Sequence, residues 1–485
     1  MDKVWATLRT FGVLLGLWVI LAVVGIVFGV VPIEGLPRAG GGDPDAQATV
    51  EGEDAGAEAV ASADGGVADE QEAPTEVAEA DGPDAGAETT STPGASTAPA
   101  AGPATRWTVC ASSDAEPSLA VAQIFGDARP EVMVGCPDGW HVLGLGPGGL
   151  ARIAVFAVGE PPAAQRARPG PATVGDVDGD GLADLVLPLA LETSEGATRG
   201  GGLYWVPRSA YGGIRDPMAL APIAAVDAAI APLDGDTGAE VVAMNRANAL
   251  AQLPSEAWVV GGGAAPSRLA ALVAGLGGLS VRLGDLDRDG RTDVVALSRG
   301  RIDVHFGDGR GAFPRSHTFE LDGAREIGLG DLDGDGGQDL AVLGNGLRWI
   351  RAGALEGMEP RGVDGVPATL RGLQVVDADG DGKVDFVGWD HPRLVVLQHR
   401  DEVDFEPRTG LTLQGGPFGP RRQRLADLDQ DGATDDLVLL GSTAGEDAAL
   451  EVLLVEDALS GTELTPETSA RQVPDAPLVL RATLP

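Results

Sequence analysis

The chain has 485 residues and a formal net charge of −39, set by 73 Asp and Glu against 34 Lys and Arg. Nucleic-acid binding demands a basic footprint, so this balance argues against a nucleic-acid partner. Only 4% of the residues are aromatic, while 72 glycines and 34 prolines punctuate the chain with turns.

In chain order, the first feature is the run FGVLLGLWVILAVVGIVFGVV at 11–31, 21 residues without a charge and long enough to cross a bilayer. Lys3 and Arg9 precede it and acidic sequence follows, so residues 1–10 are expected in the cytoplasm and the rest outside it, in a periplasm or at a cell surface. A cleaved signal peptide has a shorter apolar core and an A-x-A-like site, and neither is visible. No cysteine follows the run as in a lipoprotein. The reading is an uncleaved transmembrane signal-anchor.

Residues 32–105 read as a linker. Positions 39–105 hold fifteen Asp or Glu and no Lys or Arg, in an Ala, Gly, Pro and Thr background. Such a segment buries too little apolar surface to offset its ordering entropy, and disorder is predicted. As a flexible coil it spans roughly 45 Å.

The only two cysteines, Cys110 and Cys136, come next. In an exported chain the pair suggests a disulfide, with two buried free thiols as the alternative. Closing a loop of about 26 residues contributes roughly 3 kcal/mol by chain-entropy arithmetic.

Beyond them an acidic pattern recurs. The stretch GDLDGDGGQDLAVLG at 330–344 places Asp331, Asp333, Asp335 and Asp339 within nine residues. Two carboxylates about 4 Å apart repel by roughly 4 kcal/mol at an effective dielectric near 20, so four ionised ones need a cation among them. Ca²⁺ takes six to eight oxygens in flexible geometry, from alternate carboxylates and a backbone carbonyl. Loop positions 1, 3, 5 and 9, with the carbonyl of position 7 at Gly337, supply that set, and Gly336 at position 6 permits the sharp turn.

Four more copies follow the same spacing: Asp176, Asp178, Asp180, Leu182 and Asp184; Asp285, Asp287, Asp289, Arg291 and Asp293; Asp377, Asp379, Asp381, Lys383 and Asp385; Asp427, Asp429, Asp431, Ala433 and Asp435. In each, the seventh-position residue offers its carbonyl. An EF-hand would carry Glu at position 12, but Leu187, Ala296, Val342, Gly388 and Val438 stand there. Each loop runs at once into a short apolar strand, and position 2 is always apolar (Val177, Leu286, Leu332, Ala378, Leu428). Two degenerate copies, PLDGDTGAEVVAM at 232–244 and FGDARPEVMVGC at 125–136, keep Asp234, Asp236 and Glu240, and Asp127 and Glu131. Neither is expected to hold metal.

Aligned on these loops, seven units begin near 123, 176, 232, 285, 331, 377 and 427. The period suits one four-stranded propeller blade. The units resemble the FG-GAP/VCBS repeats of seven-bladed β-propellers, the family that includes the integrin alpha-subunit head, and VHFGDGRGAF at 304–313 is similar to the VCBS strand-turn signature. The resemblance covers about residues 106–485. It implies an all-β, seven-bladed propeller with Ca²⁺ in the five intact loops; the transmembrane helix and acidic linker read from the sequence itself precede it.

Function is less constrained, because one fold hosts many activities. The five histidines (His141, His305, His317, His391, His399) form no H-E-x-x-H, and Asp390-His391-Pro392 reads as a turn rather than a catalytic pair. Trp140, Trp205, Trp258 and Trp349 all fall in the third strand of a unit, where packing between blades is the simplest role. No catalytic residues are assigned. The leading expectation is a membrane-anchored adhesion or binding module for a protein or glycan, with loops 191–202 and 261–267 contributing to its site. A propeller enzyme acting on polysaccharide and a structural envelope component are the alternatives.

Overall fold

The computed structural model describes residues 104–482, apart from 112–115, 126–128, 210–212, 247–253, 262–267, 354–359, 401–403, 409, 414–417, 444–448, 461–462, 465–470 and 474–477. The predicted membrane span at 11–31, and all of the predicted linker but its last two residues, lie outside the described residues. Among the described residues there is no helix.

Seven antiparallel sheets follow one another along the chain. The fourth shows the plan: Ser280–Gly284, Asp293–Ser298, Arg301–Phe306 and Arg315–Glu320 pair in that order. The first strand of each sheet lies against the first strand of the next, and Phe418–Ala426 of the seventh returns to Ser118–Ala122 of the first. The sheets are thus blades around a closed ring, which leaves only short protected edges.

Burial explains the strand sequences. A second strand such as Asp293–Ser298 (DVVALS) is covered on both faces by neighbouring blades, so every residue in it is buried. Apolar continuity, not alternation, is the result. Three of the four third-strand tryptophans bridge blades as predicted, and Trp258 is only partly buried. Trp140 of the first blade packs with Leu187 and Leu189 of the second, and Trp349 of the fifth packs with Phe386 and Leu397 of the sixth. Trp205 of the second blade meets Val241 and Ala243 of the third.

Ring closure departs from repeat order. The outer strand of the seventh blade is not the residues after its third strand but Ala104–Cys110, which pairs antiparallel with Leu450–Val455. The linker boundary therefore falls two residues earlier than the sequence suggested, since Ala104 and Thr105 belong to this strand. The C-terminal residues add parallel strands instead, Arg471–Gln472 beside Trp107 and Thr108, and Leu478–Ala482 beside Ala154–Val158. Cys110 and Cys136 form a disulfide, their Cα atoms 5.8 Å apart. The bond ties the seventh blade's outer strand to the second strand of the first blade, across the closure. Trp107, Val109, Leu143, Leu150, Val438 and Leu440 pack around it.

Candidate metal centres

Each aspartate loop leaves the first, innermost strand of its blade and enters the second. The first aspartate organises the turn. Asp331 accepts the N–H of Asp335 (3.0 Å) and of Gly336 (2.8 Å) on its two oxygens. Asp176, Asp377, Asp427 and Asp285 likewise accept the N–H groups of Gly181, Gly382, Gly432 and Gly290 at 2.8–3.2 Å. Position 6 is glycine in all five intact loops because φ there is +80° to +94°. The seventh residue closes a small turn on the aspartate at position 5: Leu182 on Asp180, Arg291 on Asp289, Gly337 on Asp335, Lys383 on Asp381 and Ala433 on Asp431, at 2.8–3.0 Å.

Position 9 does something different. It opens the second strand and is fully buried. Asp339 accepts the N–H of Leu332 (2.9 Å) on one oxygen and of Ala352 (2.7 Å), just past the third strand, on the other. Asp184, Asp293 and Asp385 repeat both bonds, to Val177 and Arg208, Leu286 and Gly307, and Ala378 and His399. The carboxylate thus clips three strands together. Glu240 and Glu131 make the position-2 bond in the degenerate loops, to Leu233 and Ile124, both at 2.7 Å.

The seventh loop corrects the sequence register. Its position-9 role belongs to Asp436, which accepts Leu428 N–H at 2.7 Å and Asp457 N–H at 3.3 Å. Asp435, the residue nine places along, is one extra residue accommodated in the loop. Burial pushes its pKa up to about 6, with Asp436, Asp457, Asp431 and Asp429 adding to the shift.

Carboxylate oxygens converge in three intact loops, to within 4.8 Å of one another: Asp176, Asp178 and Asp184; Asp285, Asp287 and Asp289; Asp331, Asp333 and Asp339. All-oxygen donor sets of this kind fit a hard dication. Asp234, Asp236 and Glu240 converge just as closely, which the sequence did not suggest, although Pro232 leaves that loop without a first carboxylate. Asp127 lies outside the described residues.

The electrostatics show how unwelcome the uncompensated charge is. Burial, against two backbone hydrogen bonds and with neighbouring aspartates adding, pushes Asp293 and Asp339 up to about 6. Arginine supplies part of the balance. Arg351 meets Asp333 at 2.6 Å and Asp335 at 2.5 Å, and Arg288 reaches Asp335 from the neighbouring blade's loop. Those arginine hydrogen bonds hold the Asp335 carboxyl well below its ordinary range. Arg315 pairs with Asp287, and the Gln398 amide donates to Asp379 at 2.6 Å.

Antiparallel order fixes where these loops lie. First strands run toward the aspartate loops, and the turn between second and third strands sits at the other end. Of the two loops nominated for ligand binding, only 191–202 is fully described. Loop 191–202 is a second-to-third turn, away from the aspartates, whereas 261–267 follows Val260, which pairs with Val241 beside the degenerate loop. Residues 262–267 lie outside the described residues.

Residues 262–342, including the loops at 285 and 331, match the FG-GAP-like repeat. No curated protein matches the chain in sequence. In architecture the chain is similar to an Agrocybe aegerita lectin that recognises non-reducing terminal N-acetylglucosamine, at 14% identity and TM-score 0.43 over 73% of this chain and 100% of that one. Rhamnogalacturonan lyase YesW aligns at 12% identity and TM-score 0.38, over 77% of this chain and 92% of the lyase.

Proposed function

We propose that this seven-bladed FG-GAP-repeat propeller binds calcium in its five intact loops and serves as a membrane-anchored recognition module outside the cytoplasm. The observation that carries the reading is the convergence of carboxylate oxygens to within 4.8 Å in loop after loop. Positions 1, 3, 5 and 9 would hold the ion, and the bound dication supplies the positive charge that lets those aspartates stay ionised in the fold. Asp436 takes the ninth place in the seventh loop. The chain's own part is mechanical: each loop ties the first and second strands of a blade, so occupancy stiffens the ring that presents the surfaces between loops.

The anchor rests on the uncharged run 11–31 with Lys3 and Arg9 before it. Rigid scaffolds present their recognition residues on connecting loops, and a tethered ring with metal-braced blades suits capture of a protein or glycan more than turnover. Two measurements test the reading. Protease added outside intact vesicles of native orientation should release the propeller by cutting within 39–105, and a chelator should lower its melting temperature. A freely soluble chain beginning near residue 30 overturns the anchor, and melting indifferent to chelator overturns the calcium role.

A further inference from the structure

At the end of the ring opposite the aspartate loops, a cavity of about 590 Å³ opens between the sixth, seventh and first blades. That volume falls in the range of about 300–1,000 Å³ typical of small-molecule sites. Three blades contribute. Thr369 and Arg371 come from the entry to the sixth blade's first strand, with Trp389, Asp390 and His391 from its second-to-third turn. Arg421, Arg422 and Gln423 come from the seventh blade's first strand, and Glu116 from the approach to the first blade.

The charge here runs against the rest of the molecule. In a chain of net charge −39, three arginines line one cavity and more stand close by. Arg422 pairs with Glu116 at 3.2 Å, and Arg168 shares that same carboxylate while also meeting Glu192 at 2.9 Å. Arg246 is a third cation on these two acids, 3.1 Å from Glu192. Arg371 donates to the Leu370 carbonyl at 3.0 Å, and Arg424 to the Gln423 carbonyl at 2.9 Å. Among the described residues neither has a carboxylate at ion-pair distance. Burial, together with the charges of Arg282 and Arg422, brings Arg424 down to about 10. Guanidinium groups held this way favour a planar anion that can accept two parallel N–H bonds.

The rest of the lining narrows the choice. Asp390 and Glu116 are acceptors, and Asp390 already takes the Thr369 hydroxyl at 2.5 Å. Two buried polar atoms of lining residues have no protein partner, the Trp389 indole N–H and the Gln423 side-chain oxygen. A phosphate ion near neutral pH keeps only one or two P–OH donors on a single small centre, too few and too close together to meet the arginines and also donate to Asp390, Glu116 and Gln423. A carboxylate-bearing molecule rich in hydroxyls satisfies both halves, acid on the arginines and hydroxyl groups on Asp390, Glu116 and Gln423.

We propose that this cavity binds a sugar acid, a hexuronate residue at the end of an acidic glycan, with Arg371 and Arg422 receiving its carboxylate. The inference rests on the recognition-module reading and supplies its ligand class.

The test is isothermal titration of the purified full-length, calcium-loaded protein with glucuronate and digalacturonate, beside galactose and inorganic phosphate. One of the two uronates should bind at a single site, and galactose and phosphate should not compete for it. Arg371→Gln and Arg422→Gln should each weaken binding about tenfold, the order expected for one charge-assisted pair. Trp389→Phe, which keeps an aromatic side chain but removes the indole N–H, should weaken it severalfold. Arg371 is exposed, so its variant should keep the parent's calcium content and melting temperature. Absence of uronate binding by calcium-loaded protein overturns the proposal, as does binding that none of the three variants alters, or phosphate competing as well as uronate. Uronate binding to a chain that carries no measurable calcium would support the cavity while removing the calcium reading, so the two fail separately.

Discussion

The loops of the third and fifth blades do the same structural job with different chemistry. Both open their second strand on a buried acid, Glu240 or Asp339, that caps the position-2 N–H at 2.7 and 2.9 Å. Only the fifth also carries the first-position aspartate that curls the turn, and the third has Pro232 there. The ninth-position acid is present in all seven blades, the degenerate first loop included through Glu131, whereas the full set at 1, 3 and 5 occurs in five. Strand-clipping and the cation-holding proposed for positions 1, 3 and 5 are thus separable tasks that share a loop.

The largest expected effect comes from the shared task. Asp339→Ala leaves the Leu332 and Ala352 N–H groups buried without their acceptor, a loss of about 3 kcal/mol from two hydrogen bonds to a charged group. Denaturant melts should show it both with calcium and with chelator. If the loss vanishes in chelator, the ninth position is a ligand and nothing more. The seventh blade sharpens the point, because Asp436→Ala should cost as much as Asp339→Ala and Asp435→Ala much less. Equal losses would restore the register read from sequence.

A smaller effect isolates the cation. Asp333→Ala should release one calcium per chain and destabilise the calcium-loaded protein by about 1–2 kcal/mol through linkage, with little change in chelator. Asp234→Ala should change neither calcium content nor melting appreciably. Because Asp234, Asp236 and Glu240 converge within 4.8 Å, this variant is the one that would expose a sixth site. An equal loss of calcium in both variants would do so.

The smallest effect is on pH. Asp293 and Asp339 titrate near 6 in the metal-free fold, above the ordinary carboxylate value. Between about pH 4 and 6 the folded chain then binds more protons than the unfolded one, so metal-free stability should fall as pH rises through that window. Calcium requires the ionised form, so the loaded protein should gain stability over the same window. Melting curves at pH 4.5 and 7 that shift the same way with and without chelator would contradict the assignment of these acids.

Much of this was legible in the sequence for a local reason. The D-x-D-x-D-G-x-x-D spacing encodes its own turn, the apolar run after it encodes a doubly covered strand, and their period encodes the blades. What stayed hidden depends on distance. Ala104–Cys110 pairs with Leu450–Val455 across nearly the whole propeller sequence, and no local pattern marks an outer strand borrowed from so far away. Asp435 and Asp436 are chemically alike, so only the hydrogen bonds reveal which is buried. The arginine-lined cavity combines residues of three blades, none forming a motif in its own segment. Sequence records that a turn exists at 191–202, while strand parity decides that it faces away from the aspartate loops.

The central claim is that five loops hold calcium and two do not. Elemental analysis of purified protein after exhaustive dialysis against calcium-free buffer, then against micromolar calcium, tests it most directly. Five calcium ions per chain in the second state, falling to four in Asp333→Ala, is the predicted result. A calcium content indistinguishable from zero in both states, or unchanged by Asp333→Ala, would contradict it.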